Sequence, residues 1–233
     1  MKTIISTEPE RVERAAEQIR FLIENKPEAV LALSAEDACL PIYEKLGELC
    51  KAGKLSLSKA RIYPAAEFAA IEPGNEKSCR VRLSSALKSS DLDPKAISVL
   101  TEERLDSYDD EIREAGGLDL AVLGLGDNAR IGFNEPATPY DSRTHRQKLA
   151  PASRRELAPL FGEEDRVPEF GLTMGIKTIV EAREILVTAS GEKKAKAVFN
   201  MLYGRDDSTV PAAFLQLPLE VTVYLDEAAA AKL

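Results

Sequence analysis

Short apolar runs alternate with amphipathic stretches along this chain, and the alternation predicts the elements of an α/β fold. Between residues 8 and 25, apolar side chains recur three and four positions apart, which is the spacing of one helix face. The run at 29–33 is short and entirely apolar, as expected for a strand that is buried on both sides. The same two patterns predict strands at 118–123, 184–189 and 219–225, and helices at 38–52, 78–88, 101–115 and 193–203.

Other segments have weaker patterns. Residues 60–64 favour a strand that Pro64 should end, because proline is confined to the edges and ends of strands. Residues 98–100 favour only a weak strand, and 170–179 favour a strand or turn that leads into a helix. The polar stretch at 138–168 predicts loops and a short helix.

Strands that alternate with helices favour βαβ units and a parallel sheet. We therefore predict an α/β fold with a single doubly wound, mainly parallel open sheet and helices on both faces, of the Rossmann-like kind. The 233 residues show neither an internal repeat nor a linker, so one domain over 1–233 is expected. Ligands bind such sheets at the carboxyl ends of the strands, and the expected cleft lies near 34–38, 64–68, 124–136 and 190–194.

The composition of the chain argues against several classes of function. The formal net charge is −8 and no Lys/Arg cluster is present, which disfavours nucleic-acid binding. There is no run of about 18 apolar residues to span a membrane, and the N-terminus does not resemble a signal peptide, so we expect a cytoplasmic protein. Three cysteines, an odd number, fit reduced thiols in that compartment. One histidine and no cysteine pair argue against a metal site, and no cofactor is predicted.

The most informative segment runs from residue 118 to 136. A predicted buried strand ends there in Gly-Leu-Gly at 124–126, and a Phe-Asn-Glu-Pro motif follows at 133–136. A loop at the carboxyl end of a parallel strand is where open α/β sheets bind ligands. The two glycines are too weak a signal for a dinucleotide site, because no third glycine opens a helix.

Together these motifs resemble the glucosamine-6-phosphate deaminase/isomerase family, with its galactosamine-6-phosphate branch, and more distantly the 6-phosphogluconolactonases. The Asn-Glu-Pro motif at 134–136 favours the deaminase/isomerase branch. The resemblance implies the sugar-phosphate isomerase type of fold. It also implies a reaction in which a carboxylate moves a proton between C1 and C2 of an amino-sugar phosphate. A histidine helps to open the ring, and a glycine-rich loop with basic residues holds the phosphate. Further segments match at 116–126, 142–144, 171–175, 190–195 and 210–216.

The segment that matches the family's phosphate-binding loop has lost its glycines and contains Glu36 and Asp37 instead. The N-terminus of a helix attracts phosphate through free N–H groups, and these carboxylates would occupy those donors themselves. Carboxylates at a helix start are also ordinary caps, and this is the role that we expect for both residues.

Two further positions of the family's reaction are replaced. Ala66 stands where the resemblance places the proton-transfer aspartate, and its neighbour Glu67 is a candidate substitute base. Arg130 stands in place of the histidine, and arginine cannot act as a base near neutral pH. We expect Arg130 to pair with Glu135 or Asp127, with the anchoring of an anion as the alternative.

Other family positions are retained or mildly changed. Glu135 matches the acid that orients the histidine, and Asn128 replaces an aspartate. Lys194 matches the phosphate-binding lysine, with a solvated surface lysine as the alternative, and no arginine occupies the second phosphate-binding position near 159. The lone histidine, His145, is expected on the surface. The candidate catalytic residues are Glu135, Asn128, Asp127 and Glu67, and the candidate ligand-binding residues are Ser34, Arg130, Asn134, Lys194 and Arg143.

The sequence thus predicts a member of the amino-sugar-phosphate isomerase/deaminase family whose own reaction is impaired or lost. One alternative is an active aldose–ketose isomerase/deaminase that uses substitute residues. Another is a non-catalytic protein that senses a ligand or regulates a partner, because the charges at 36, 37 and 130 would suit a ligand other than a sugar phosphate. The expected partner is a small molecule, with a sugar phosphate as one candidate. The resemblance is also compatible with a homo-oligomer, since the family contains monomers, dimers and hexamers.

Overall fold

The computed structural model describes residues 1–205 and 207–233. The strands are β1 (Lys2–Ser6), β2 (Val30–Leu33), β3 (Arg61–Pro64), β4 (Ala66–Phe68), β5 (Leu120–Gly124), β6 (His145–Lys148), β7 (Phe170–Thr173), β8 (Glu184–Ala189) and β9 (Val221–Asp226). The helices are α1 (Glu8–Asn25), α2 (Leu40–Lys51), α3 (Cys79–Ala86), α4 (Leu105–Glu114), α5 (Pro151–Phe161), α6 (Ile176–Val180) and α7 (Ala195–Tyr203). Among the described residues, no helix combines the length and apolar character that a membrane crossing requires.

Six strands form one parallel sheet in the order β1-β9-β8-β5-β2-β3. Leu31 and Leu33 of β2 belong to one apolar core together with α1, α2 and α3, whereas Val30 and Ala32 belong to the other core together with α4, α6 and α7. Helices therefore cover both faces, which is why the central strands are continuous apolar runs. The predicted α/β fold with a mainly parallel sheet is confirmed.

A second sheet, with the antiparallel order β4-β7-β6, goes beyond the sequence prediction. Strand β6 consists of polar residues at alternately half-buried and exposed positions, so no apolar run marks it. Helix α5 lies in the same polar stretch and begins at Pro151, in the first turn, where proline is tolerated. The weak strand predicted at 98–100 is wrong, because only Ile97 bridges to Ile62.

Strands β2 and β5 lie side by side at the switch point of the parallel sheet. From β2 the chain passes through α2 to β3 on one side, whereas the other neighbour of β5 is β8. Connections that leave two adjacent strands in opposite directions open a crevice at the carboxyl ends of those strands. The fold therefore places the loops at 34–39 and 125–136 face to face.

Candidate ligand-binding cleft

A cleft of about 1,090 Å³ opens at the carboxyl ends of β2, β5 and β8. Glu36 reaches the cleft from the loop after β2, and Asp127 and Arg130 reach it from the loop after β5. Lys194 comes from the turn after β8, and Glu156 from helix α5. Five charged side chains from four segments of the chain therefore meet in one place, and we call them the ion cluster.

Arg130 is the centre of the ion cluster, and its side chain is 1% exposed. One terminal nitrogen, Nη1, lies 2.5 Å from a carboxylate oxygen of Glu36 and donates to the carbonyl of Gly132 at 2.6 Å. The other, Nη2, lies 3.3 Å from a carboxylate oxygen of Glu156. Burial alone would lower the pKa of Arg130, but the surrounding carboxylates raise it above its usual range. The guanidinium therefore stays charged and cannot remove a proton.

Lys194 is the second cation of the ion cluster, and its side chain is 18% exposed. Its ammonium group binds Glu156 and lies 2.7 Å from a carboxylate oxygen of Asp127. Burial would lower the pKa of Lys194 and raise that of Glu156. In both cases the nearby opposite charges have the larger effect, so the lysine pKa is raised and the glutamate pKa is lowered. Both cations are thus already bound by carboxylates of the chain itself.

The Gly-Leu-Gly turn at the end of β5 makes room for the ion cluster. A Cβ atom on Gly124 would lie 1.9 Å from a carboxylate oxygen of Glu36, and one on Gly126 would lie 2.3 Å from Cγ of Arg130. Real Cβ atoms do not approach neighbours this closely. The two glycines therefore form a cradle, and the side chains of Glu36 and Arg130 fill it.

The cradle gives a direct prediction for Gly124→Ala. The new methyl group collides with Glu36, and we expect overpacking to lower the free energy of unfolding by about 1–3 kcal/mol, measured by urea denaturation. The same substitution in a Glu36→Gly background removes the collision and should cost clearly less. An equal cost in both backgrounds would show that Glu36 does not occupy the cradle.

Two arginines fix the loop that carries Glu36. Arg11 is fully buried and donates to the carbonyl of Ala38 at 3.1 Å, and Arg82 pairs with Asp37 on the outer side. Helix α2 instead begins after Cys39 without a side-chain cap. The expectation that Glu36 and Asp37 cap this helix is therefore wrong, because both carboxylates find an arginine partner.

The predicted partners of Arg130 are also wrong. Glu135 is buried and accepts hydrogen bonds from the Asn128 amide at 2.7 Å and from the backbone N–H of Ala150 at 3.0 Å. Asp127 pairs with Lys194. The guanidinium of Arg130 instead crosses the crevice to Glu36 and Glu156, as described above.

The remaining residues of the 125–136 loop hold its shape. Asn134 is fully buried, and its amide donates to the carbonyls of Ile131 at 2.9 Å and Met174 at 2.8 Å. Neither Asn134, Glu135 nor Asn128 lines the cleft. The hydrogen bonds of these three polar residues therefore hold the shape of the loop.

Glu67 lies in β4, outside the cleft, and its carboxylate reaches the N-terminus of α3. It is buried, and its carboxylate accepts hydrogen bonds from the backbone N–H groups of Phe68, Cys79 and Arg80 and from the Ser78 hydroxyl, at 2.7–3.1 Å. Four donors leave this carboxylate no lone pair suited to a substrate proton. The structure thus gives Glu67 the role of a helix cap.

Two candidate ligand-binding residues and the lone histidine also lie away from the cleft. Ser34 is buried, and its carbonyl accepts a hydrogen bond from the Tyr43 hydroxyl at 2.9 Å. Arg143 is exposed and pairs with Glu181. His145 is half-buried in β6 and contacts the carbonyl of Arg143 at 2.8 Å. Of the nine candidate site residues, the cleft brings together Asp127, Arg130 and Lys194.

Glu156 is the residue of the ion cluster that the sequence analysis missed. It lies on α5, in the polar stretch where only a short helix is predicted, three positions before Pro159. The available signal was the apolar pair Leu157 and Phe161, four positions apart, after a proline at 151 that can begin a helix. That spacing predicts the helix, but it does not show that Glu156 faces two cations.

These features define a class: an α/β protein with a parallel sheet and a polar small-molecule cleft at its switch point. The chain belongs to the family described as glucosamine-6-phosphate isomerases/6-phosphogluconolactonase, which it matches over residues 7–224. Membership in this family agrees with the order of motifs along the sequence.

Individual relatives support the same assignment. The glucosamine-6-phosphate deaminase of Hahella chejuensis is 35% identical over 242 residues, which cover 100% of this chain and 92% of that protein. The Clostridium acetobutylicum enzyme of the same name is 34% identical over 223 residues, which cover 93% and 92%. The structure of a monomeric glucosamine-6-phosphate deaminase matches with a TM-score of 0.95 and 31% identity over 100% of both chains. A 6-phosphogluconolactonase from Thermotoga maritima, with 19% identity and a TM-score of 0.75 over 97% of this chain and 98% of that one, shows the shared fold alone.

Proposed function

We propose that this family member does not isomerise or deaminate amino-sugar phosphates, and that its cleft binds a small molecule without converting it. The observation that carries the proposal is the buried Arg130, a permanent cation at the position where the resemblance implies a histidine. Ala66 offers only a methyl group where the resemblance implies the proton-transfer acid, and it does not line the cleft. Loss of one acid–base group typically costs about 10²–10⁴ in rate, so loss of both should leave little activity.

The alternative of an active enzyme with substitute residues depends on Asp127. Glu67 is occupied by four hydrogen-bond donors at α3, and Glu156 is bound by both cations of the ion cluster. Asp127 is 37% exposed, and within the described part of the chain only one of its carboxylate oxygens is paired, with Lys194. It is therefore the acid of the ion cluster best placed to move a proton, and it gives this alternative a defined test.

The reaction test follows both amino-sugar phosphates by proton NMR. We expect no ketose phosphate to appear above the buffer control when the protein is incubated at high concentration with glucosamine 6-phosphate or galactosamine 6-phosphate. The Hahella chejuensis deaminase under the same conditions is the positive control. Conversion that rises with protein concentration and disappears in Asp127→Asn would contradict the proposal and support the alternative.

Location and assembly complete the proposal. We place the protein in the cytoplasm, which is supported by three free cysteines, Cys39, Cys50 and Cys79. A relative that covers 100% of this chain is monomeric, which supports a monomer rather than the homo-oligomer that the family also allows.

A further inference from the structure

We propose that Glu36 is a specificity-determining residue that excludes phosphate: its carboxylate takes the place of a ligand's anionic group beside Arg130, so that the cleft selects sugars without a phosphate. This inference rests on the proposed function for the location of the ligand, in this cleft. It concerns binding rather than conversion, and it therefore stands or falls separately from the absence of a reaction.

The two buried cations of the ion cluster need counter-ions. Arg130 is 1% exposed and Lys194 is 18% exposed, and a buried charge is costly unless it is paired. In a protein that binds an anionic ligand, the ligand supplies that pairing. Here carboxylates of the chain itself supply it. Arg130 lies 2.5 Å from Glu36 and 3.3 Å from Glu156, and Lys194 lies 2.7 Å from Asp127.

The Glu36 carboxylate lies between Arg130 and the backbone of Gly124. One of its oxygens is bound by Arg130, and the other lies against the backbone of Gly124, where a Cβ atom would be only 1.9 Å away. That second oxygen is buried and has no hydrogen-bond partner among the described residues. The carboxylate thus fills a glycine cradle beside a buried guanidinium, which is a place where an anionic oxygen of a ligand would fit.

The loop that carries Glu36 is held by two arginines. Arg11 holds the carbonyl of Ala38 from inside at 3.1 Å, and Arg82 holds Asp37 from outside. These contacts fix the backbone from which the Glu36 side chain extends. The ion pair with the buried Arg130 holds the carboxylate in the cradle, and an incoming anion would have to displace it from that arginine.

The ion cluster has a surplus of negative charge. Its two cations, Arg130 and Lys194, face three carboxylates, Glu36, Asp127 and Glu156, and the close pairs are already made. The other charged residues of the cleft lining balance one another, with Arg82, Arg155 and Lys193 against Glu8, Asp37 and Glu192. A phosphate dianion would therefore add two negative charges to a surplus of one, whereas the hydroxyl groups of an unphosphorylated sugar would add none. The free oxygen of Asp127 can accept a hydrogen bond from such a hydroxyl group.

The test measures inorganic phosphate binding by isothermal titration calorimetry at pH 8. Burial raises the pKa of Glu36 while Arg130 opposes the shift, and an alkaline pH favours the ionised forms of both this carboxyl group and phosphate. We expect no saturable binding to the unmodified protein. Glu36→Gln keeps the size of the side chain and removes its charge, and it should bind phosphate at least about tenfold more tightly.

The matched control is Glu48→Gln, which makes the same substitution on α2, outside the cleft, at a side chain that is 71% exposed. It should leave phosphate binding as weak as in the unmodified protein. Adding Lys194→Met to Glu36→Gln should abolish the gained binding, because one of the two cations is then missing. Phosphate binding by the unmodified protein as tight as by Glu36→Gln, or no gain in a folded Glu36→Gln protein, would overturn the proposal.

A measurement on the unmodified protein keeps the proposal testable if Glu36→Gln does not fold. Saturation-transfer NMR compares glucosamine with glucosamine 6-phosphate at equal concentration and pH 8. We expect saturation transfer to glucosamine and little to its phosphate. Tighter binding or conversion of glucosamine 6-phosphate would refute the role of Glu36, whereas conversion of glucosamine alone would count only against the proposed function.

Discussion

Replacing Arg130 by methionine is expected to lower the free energy of unfolding by about 3–5 kcal/mol, because it removes one partner of a buried ion pair. The side chain is 1% exposed, and its loss leaves Glu36 without its counter-ion and Glu156 with Lys194 alone. The carbonyl of Gly132 also loses its donor. Urea denaturation at pH 7 measures the change.

The control is Arg113→Met, because Arg113 is 68% exposed and its pair with Asp110 lies on the surface. Such pairs contribute about 0–1 kcal/mol. In the Arg130→Met protein Glu36 loses its arginine partner and Glu156 keeps only Lys194 of its two cations, so the folded-state pKa values of both carboxyl groups should rise. A buried acid with a raised pKa destabilises the folded state when it is ionised, and this destabilisation disappears when the acid is protonated. The loss of stability caused by Arg130→Met should therefore be smaller at pH 5 than at pH 7. A cost below about 1 kcal/mol at pH 7 would mean that the ion cluster is not formed.

The central sheet could be predicted from the sequence because its strands have apolar runs that need cover on both sides. Strands β2, β5 and β8 are almost wholly buried, and their side chains alternate between the two cores. Strand β6 could not be predicted in this way. Its His-Arg-Gln-Lys sequence has no apolar residue, and it is a strand only because β7 offers hydrogen-bond partners.

The positions of the cleft loops could be predicted, but the partners of their charged residues could not. Arg130 has two acids nearby in sequence, Asp127 and Glu135, and sequence proximity favours one of these as its partner. The partner on the fold is Glu36, 94 positions away, because β2 and β5 are neighbours in the sheet and their loops face each other. A salt bridge between loops depends on strand order, and no single motif contains the strand order.

Glu67 is a second residue whose contacts could not be predicted from its neighbours in sequence. It follows Ala66, the replaced acid, and proximity in sequence makes it a candidate substitute base. On the fold, Glu67 turns away to the first turn of α3, where the backbone N–H groups of Cys79 and Arg80 have no partner within the helix. The geometry of a later helix therefore decides the role of this carboxylate.

That role predicts a large loss of stability for Glu67→Ala. The substitution leaves four donors without their acceptor, among them the buried Ser78 hydroxyl and two backbone N–H groups at the start of α3. Unsatisfied buried donors cost about 1–3 kcal/mol each, and water can reach the partly buried ones, so we expect a total of about 2–4 kcal/mol by urea denaturation. Ligand binding in the cleft should not change at a temperature where the protein remains folded.

Two variants separate a helix cap from a catalytic acid. Glu72→Ala removes an exposed carboxylate a few residues further along the chain and should cost less than about 0.5 kcal/mol. Glu67→Gln keeps one oxygen acceptor in place and should recover part of the stability, although an amide cannot act as a base. If any turnover of amino-sugar phosphates were found, a cap would tolerate Glu67→Gln, whereas a base would not. If Glu67→Ala kept normal stability and lost that turnover, Glu67 would be a catalytic acid or base rather than a helix cap.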